Sequence, residues 1–197
     1  MDQSSTPRGR SPSARRPGDA ASSAPDRAVE CRLLLVRHAK AVSKSRPIDD
    51  FDRPLSKRGK ADAPRTGRWL VDSGFEPDLV LCSPAHRTRQ TWQLAVLAFD
   101  DPPPAVYDER LYNAPPSLLA EVLAERGKGL RSVALVGHNP GIHELATGLC
   151  GNGPPDLVER LRAGFPTSGV VALDVPGGWQ CLWPGNGTVT AFWAPAD

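Results

Sequence analysis

Short aliphatic runs alternate with segments of helical character along most of this chain, and that alternation limits the folds open to it. Residues 33–36 (LLLV) are predicted to form a strand buried on both faces, because no polar residue interrupts them. Further strands are predicted at 78–82, 133–136, 169–175 and 188–194. Helices are predicted at about 56–73, over the segment carrying Trp92, Leu94, Ala95 and Leu97, at 115–126 and at 140–149. This alternation indicates a single three-layer α/β/α domain with a mainly parallel central sheet.

The first predicted helix has a clear end, but it contains one residue that is unfavourable inside a helix. Gly74 follows its last apolar residues, and glycine is frequent just past the end of a helix. Pro64 lies inside the helical segment and has no backbone N–H to donate. We therefore expect Pro64 to kink this helix or to delay its start.

The first 30 residues differ in composition from the rest of the chain. They are rich in Ser, Pro, Arg and Ala, and they contain no Leu, Ile, Phe, Trp or Tyr. Such a segment cannot bury enough apolar surface to offset the entropy that ordering costs. We predict a disordered tail at 1–30 and one folded domain at 31–197, which is long enough to bury a core.

Charge and cysteine usage exclude several classes of protein. The net charge is only +2, which is too balanced to indicate nucleic acid or an anionic membrane as a partner. No apolar run approaches the ~20 residues that span a bilayer, and the N-terminus lacks the apolar core of a signal peptide. The four cysteines lie far apart without zinc-binding spacing, so we expect a cytoplasmic protein in a reducing compartment.

Three of the predicted strands run directly into side chains that can bind an anion. Arg37 and His38 follow the first strand, Arg87 follows the strand at 78–82 after a short turn, and His138 follows the strand at 133–136. Because ligands of open parallel sheets bind outside the carboxyl ends of the strands, we expect these side chains to share one cleft. Arginine donates paired hydrogen bonds to phosphate oxygens, and helix N-termini add backbone N–H groups. The pattern therefore predicts a phosphoryl-binding site.

Each cluster taken alone could be an ordinary turn, and a metal site is the sharper alternative. The chain has four histidines, His38, His86, His138 and His143, of which only His143 adjoins a carboxylate, that of Glu144. Neighbouring residues on a helix do not face the same way, and a spacing of five does not place two histidines on one helix face. We therefore expect no metal, and the segment SKRGK at 56–60 does not match a nucleotide-binding loop.

Four motifs in this order resemble the histidine phosphatase superfamily, which includes the phosphoglycerate mutases. They are VRHAK at 36–40, DFDRPLSKRG at 50–59, CSPAHRTRQT at 82–91 and VGHNPG at 136–141. The RHAK form, the DRPLS element, the short chain and FPTSGVVAL at 165–173 are most similar to the SixA-type phosphohistidine phosphatase branch. The resemblance covers about residues 32–195 and implies a phosphoglycerate mutase-like fold.

The resemblance also implies roles for the clustered residues. His38 would be the nucleophile that forms a phosphohistidine intermediate, which water then hydrolyses. Arg37, Arg87 and His138 would bind the phosphoryl oxygens as charge develops on them. Arg37 and Arg87 would also keep His38 neutral by like-charge repulsion. No metal or other cofactor is implied, and His86 occupies a variable position of its motif.

The proton donor is less well defined than the other roles. Glu109, in the segment DERLYNA, resembles the acid-bearing segment of the family, and Asp108 adjoins it. Asp49, Asp50 and Asp52, which follow the first motif, are the alternatives. An imidazole leaves phosphorus more readily than an alkoxide does, so a phosphohistidine phosphatase could work without a strong acid.

The expected partner is a phosphorylated protein or a small phosphorylated molecule. The segment between Gln90 and His138 is short and leaves little room for a lid, so we expect an open site that can admit a histidine on another protein. Phosphohistidine in proteins is the favoured substrate. Small phosphoesters are the alternative substrate, and a non-catalytic phosphate-binding protein is a third possibility.

Overall fold

The computed structural model describes residues 30–44 and 47–196. The predicted tail lies outside the described residues except for Glu30, which is the first residue of a strand. Within the described ranges, no helix combines the length and the apolar character needed to cross a bilayer.

Seven strands and five α-helices make up the described part of the chain. The strands are β1 (Glu30–Arg37), β2 (Leu79–Cys82), β3 (Ala105–Tyr107), β4 (Ser132–Gly137), β5 (Cys150–Asn152), β6 (Val170–Pro176) and β7 (Gly187–Trp193). The helices are α1 (Lys57–Asp72), α2 (His86–Ala95), α3 (Pro116–Arg126), α4 (Gly141–Leu149) and α5 (Pro155–Ala163). Short 3-10 turns lie at Val96–Ala98, Glu109–Leu111 and Trp179–Cys181.

All seven strands join one sheet in the order β3-β2-β4-β1-β6-β7-β5. The pairs β1–β4, β2–β4, β2–β3 and β5–β7 are parallel, whereas β6 runs antiparallel to both β1 and β7. The mainly parallel sheet predicted from the sequence is therefore confirmed. Its parallel part includes the three strands that precede the polar clusters.

Helices cover both faces of the sheet, because side chains of a strand point to alternate sides. Leu33 and Leu35 of β1 belong to a buried cluster that includes residues of α3, α4 and α5. Leu34 and Val36 belong to a second cluster, which includes residues of α1 and α2. The two clusters give the predicted three-layer α/β/α architecture, which is that of the phosphoglycerate mutases.

The start of α1 is set by its cap and not by Pro64. The Oγ atom of Ser56 accepts a hydrogen bond from the backbone N–H of Gly59 at 3.2 Å, which satisfies one free donor of the first turn. Helix α1 begins at Lys57 and continues through Pro64 to Asp72. The expectation that Pro64 would delay the helix start is therefore wrong.

The sequence pattern did not predict three of the elements. Strands β3 and β5 have three residues each, too few for a periodic pattern, and both lie at the edges of the sheet. Helix α5 is nine residues long, and only one of them is buried. The side chain of Leu97, expected in the helix after β2, lies in the following 3-10 turn and is 77% exposed.

Candidate active site

Three neighbouring parallel strands end together and bring the polar clusters to one edge of the sheet. Arg37, the last residue of β1, lies opposite Gly137, the last residue of β4. Cys82, the last residue of β2, lies opposite Val136 of β4. The residues that follow β1, β2 and β4 therefore begin at the same edge, as the sequence predicted.

A cleft of about 320 Å³ opens at this edge. The rings of His38 and His138 lie side by side in it, with centroids 5.2 Å apart and ring planes tilted by 57°. Five of the lining residues are cationic, and one is a carboxylate. The lining consists of Arg37, His38, Lys40, Ala41, Val42, Ser43, Lys44, Asp50, Arg53, Arg87, Asn113, His138, Asn139 and Thr167.

The loop before β6 holds Arg37 in the cleft. The backbone carbonyl of Phe165 accepts a hydrogen bond from Nη1 of Arg37 at 2.7 Å and another from Nδ2 of Asn139 at 3.1 Å. The Nε atom of Arg37 is buried and has no hydrogen-bond partner. An unpartnered buried donor is costly, so this N–H group would be stabilised by any acceptor that reached it.

His38 is held as a neutral imidazole with a defined tautomer. Its Nδ1 atom lies 2.7 Å from the backbone carbonyl oxygen of Ala39. Because a carbonyl can only accept, Nδ1 carries the proton and Nε2 keeps its lone pair. Burial, followed by the charges of Arg87 and Arg37, lowers the pKa of His38 to about 3, although the bond to Ala39 opposes this shift.

His138 is also neutral, and both of its ring nitrogens are hydrogen-bonded inside the protein. Nη2 of Arg87 donates to Nδ1 at 3.1 Å, and because arginine only donates, the ring proton lies on Nε2. Nε2 in turn donates to Oγ of Ser83 at 2.7 Å. Burial and the neighbouring ring of His38 lower the pKa of His138 to about 2, with Arg87 adding to the shift.

Asp50 is the carboxylate of the cleft lining, and it accepts hydrogen bonds from three side chains. Its Oδ1 accepts from Nε and Nη2 of Arg53 at 3.0 and 2.8 Å. Its Oδ2 accepts from Nη2 of Arg87 at 3.0 Å and from the hydroxyl of Tyr112 at 2.8 Å. Partial burial raises the pKa of Asp50, but the Tyr112 bond and the two arginines outweigh it and hold the pKa below the usual range.

Comparison with known proteins agrees with this geometry. The sequence model of the histidine phosphatase superfamily (branch 1) matches residues 33–114. A solved structure from Agrobacterium tumefaciens, assigned as a phosphohistidine phosphatase SixA, is 34% identical; the match covers 84% of this chain and 99% of that one, with a TM-score of 0.70.

The chain belongs to the histidine phosphatase superfamily.

Two further relatives are similar to this chain over most of their length. An uncharacterised protein of Mycobacterium tuberculosis is 39% identical over 162 residues, which cover 81% of this chain and 99% of that protein. A structure of the protein histidine phosphatase SixA complexed with tungstate is 25% identical, covers 83% of this chain and 96% of that one, and has a TM-score of 0.67. The similarity spans nearly the whole length of these relatives and supports phosphatase activity in this histidine phosphatase.

Four of the five residues assigned to the site from sequence lie together in the cleft; they are Arg37, His38, Arg87 and His138. Glu109 starts the 3-10 turn after β3, where its side chain is exposed and does not line the cleft. The neighbouring carboxylate of Asp108 pairs with Arg110 at 2.7 Å. The role of Glu109 as proton donor stays a prediction.

The remaining two histidines do not line the cleft, and each contacts a backbone carbonyl. Nδ1 of His86 lies 3.1 Å from the carbonyl oxygen of Asp52, and Nε2 of His143 lies 2.7 Å from the carbonyl oxygen of Leu161. Within residues 30–44 and 47–196, no three or more His, Cys, Asp or Glu residues gather in a way that could hold a metal ion. Independence from metals stays a prediction.

Several cleft contacts were not anticipated from the sequence. Arg53 and Ser83 lie inside quoted motifs, but their spacing does not reveal that they bond to Asp50 and His138. Tyr112, three residues after Glu109, contributes a hydroxyl to the same network. The backbone carbonyl of Phe165 anchors Arg37 and has no side-chain signature at all.

Proposed function

We propose that this histidine phosphatase hydrolyses phosphohistidine on proteins and passes the phosphoryl group through His38. One observation carries the proposal: a neutral imidazole with a free Nε2 lone pair lies in a cleft beside two buried guanidinium Nε donors, of Arg37 and Arg87, that have no partner. An imidazole lone pair is a nucleophile, and paired guanidinium groups suit a phosphoryl dianion.

In the first step, Nε2 of His38 attacks phosphorus and forms a P–N bond as the bond to the leaving group breaks. The Nδ1 proton stays hydrogen-bonded to the Ala39 carbonyl, which stabilises the positive charge that the ring gains. Arg37 and Arg87 bind the phosphoryl oxygens on which negative charge is spread. In the second step water attacks phosphorus and the P–N bond breaks. The electron pair of that bond returns to Nε2 of His38, and the oxygen and both hydrogens of water leave as part of inorganic phosphate.

The environment of Asp50 favours a leaving group that needs little protonation. Asp50 is the carboxylate among the lining residues, and its ion pairs stabilise the ionised form, which makes it a poor proton donor. An alkoxide requires a proton as it leaves, whereas a phosphohistidine ring that already carries a proton leaves as neutral imidazole. This supports phosphohistidine over alkyl phosphoesters.

The mouth of the cleft supports a substrate carried on a protein. Lys40 and Lys44, both in the lining, are exposed to solvent. The segment from Gln90 to His138 forms the end of α2, β3, α3, β4 and their connections, which leaves no separate covering domain within that described segment. Structures described as SixA phosphohistidine phosphatases are similar in sequence as well as fold, and one of them binds tungstate, a tetrahedral oxyanion like phosphate.

The test is a comparison of kcat/KM for a phosphohistidine-bearing protein, a sugar phosphate and a phosphoglycerate, each in saturating EDTA. We expect phosphohistidine to be preferred by at least about 10²-fold, since the esters lack a strong general acid. We also expect EDTA to change the activity by no more than about twofold, because side chains supply the positive charge. A preference for either ester would assign the site to small phosphoesters, and activity restored by zinc or magnesium would indicate a metal enzyme.

A further inference from the structure

The hydrogen bonds of Asp50 account for the full accepting capacity of its carboxylate. A carboxylate has about four lone-pair sites on its two oxygens. Arg53 fills two sites on Oδ1, while Arg87 and Tyr112 fill two on Oδ2. Asp50 is therefore an ionised acceptor bound by three side chains, and its low pKa makes it poorly suited to donate a proton to a substrate.

These bonds fix one end of Arg87. Its Nη1 donates to the backbone carbonyl of Asp50, and its Nη2 donates both to Oδ2 of Asp50 and to Nδ1 of His138. Arg87 is only 3% exposed, and its Nε is the buried nitrogen left without a partner. The contacts with Asp50 and His138 therefore occupy both Nη atoms of Arg87 and leave Nε as its donor without a partner.

We propose that Asp50 is a positioning residue for phosphoryl transfer: it holds Arg87 in one orientation and, through Arg87, holds His138 in its Nε2-protonated tautomer. The proposal rests on the proposed function only in placing a phosphoryl group in this cleft. Asp50 acts through its neighbours and does not exchange a proton with the substrate. The hydroxyl of Tyr112 donates to Oδ2 of Asp50, the oxygen that also binds Arg87.

Asp50 also competes with a phosphoryl group for the same cations. It pairs with Arg87 at 3.0 Å, with Arg53 at 2.8 Å and with Lys44 at 3.8 Å, and all four residues line the cleft. Removing its charge would leave these cations free to bind an anion in less defined geometries. A loss of Asp50 should therefore preserve or strengthen phosphate binding while it impairs the aligned transition state.

The kinetic test is Asp50→Asn, with Asp101→Asn as a control for the loss of one carboxylate charge at an exposed site outside the cleft lining. We expect kcat to fall by about 10- to 100-fold, the usual effect of a misplaced catalytic group. The Kd of inorganic phosphate should stay the same or decrease. The kcat loss should be equal for phosphohistidine and for an aryl phosphate. Tyr112→Phe removes one hydrogen bond to Asp50 but no charge, so its kcat should fall less than that of Asp50→Asn.

Two kinetic outcomes would overturn the proposal. An unchanged kcat would show that Arg87 needs no anchor. A loss confined to the aryl phosphate, whose phenolate leaves less readily than a neutral imidazole, would make Asp50 a proton donor.

A second experiment does not depend on turnover. It records ¹⁵N NMR signals of the Arg87 Nε–H and of the His138 ring in the phosphate-free protein. In the wild type we expect one His138 tautomer with the proton on Nε2; in Asp50→Asn we expect exchange broadening of both signals at an unchanged Tm. Signals in Asp50→Asn that match the wild type would contradict the positioning role of Asp50. A wild type that hydrolysed neither phosphohistidine nor the two phosphoesters would count only against the proposed function, and the NMR comparison would still test the positioning role. If Asp50→Asn fails to fold, the same NMR signals are compared between Tyr112→Phe and the wild type. Identical signals would then count against the positioning role of Asp50.

Discussion

At the scale of single residues, the reactivity of His38 is set by a backbone atom of the next residue. The Ala39 carbonyl fixes the ring proton on Nδ1, and burial together with Arg87 and Arg37 disfavours the imidazolium. The sequence placed His38 beside cations, but the tautomer depends on a single 2.7 Å hydrogen bond. The proposed nucleophile therefore needs no separate base to deprotonate it.

We predict that His38→Ala abolishes phosphate release without unfolding the domain, because the ring lies past the end of β1 and outside the buried clusters. Brief incubation of the wild type with ³²P-labelled substrate, followed by an alkaline quench, should leave acid-labile label on His38. His86→Ala, whose ring does not line the cleft, serves as the control. Continued turnover in His38→Ala would exclude the covalent route.

For Glu109 we predict that Glu109→Gln changes phosphohistidine turnover by less than about threefold, since protonated imidazole leaves without a general acid. The side chain is exposed and outside the cleft lining, which agrees with a minor role in this reaction. If Glu109 is the donor for alkyl phosphoesters, their turnover should fall by about 10²- to 10⁴-fold. Steady-state rates on both substrates decide between these roles, and an equal large loss on both would show that the division is wrong.

At the scale of elements, the packing of α1 on α2 depends on a helical glycine. A Cβ atom at Gly67 of α1 would meet the backbone carbonyl of Ala95, the last residue of α2. Helix α2 carries Arg87 in its first turn, so this contact helps to set where the arginine lies. Gly148 of α4 has open space where its Cβ would be.

We predict opposite effects of alanine at these two helical glycines. Gly67→Ala should lower the free energy of unfolding by about 1 to 3 kcal/mol, because backbone atoms cannot move aside cheaply. Gly148→Ala should raise it by about 0.5 to 1 kcal/mol, the ordinary gain in helix propensity. Urea unfolding of both variants measures the difference, and a stabilised Gly67→Ala would contradict the close packing.

At the scale of the whole molecule, stability should depend on pH through the two cleft histidines. The pKa values of His38 and His138 fall from 6.5 to about 3 and about 2 on folding. Between about pH 3 and 6.5 the unfolded chain therefore binds more protons than the folded protein. The free energy of unfolding should rise with pH across this window and level off above it.

Each histidine can contribute at most about 1.4 kcal/mol per pH unit to that slope. Urea titrations at several pH values should show a shallower slope for the double variant His38→Gln/His138→Gln than for the wild type. His86→Gln, outside the cleft lining, is the control. An unchanged slope in the double variant would mean that other groups cause the acid sensitivity.

The sequence by itself determined the five longer strands, four of the five helices and the edge of the sheet at which Arg37, His38, Arg87 and His138 meet. Those features depend on local patterns: a strand must bury both faces, and parallel strands end at one edge, so Arg37, His38, Arg87 and His138 had to meet. The first helix was predicted at about 56–73 and runs over Lys57–Asp72; only the expectation that Pro64 would delay its start was wrong, because Ser56 caps the helix before the proline.

Only the tertiary structure decided which residues of the site are hydrogen-bonded to one another. Asp50 lies 37 residues from Arg87 and 62 from Tyr112, and no periodicity relates positions that far apart. Their contacts arise because the loop after β1 folds over the start of α2, where a backbone N–H of His86 bonds to the carbonyl of Phe51 at 2.9 Å. The tautomer of His138 follows from that packing, because Arg87, which Asp50 holds, can only donate to Nδ1 of the ring.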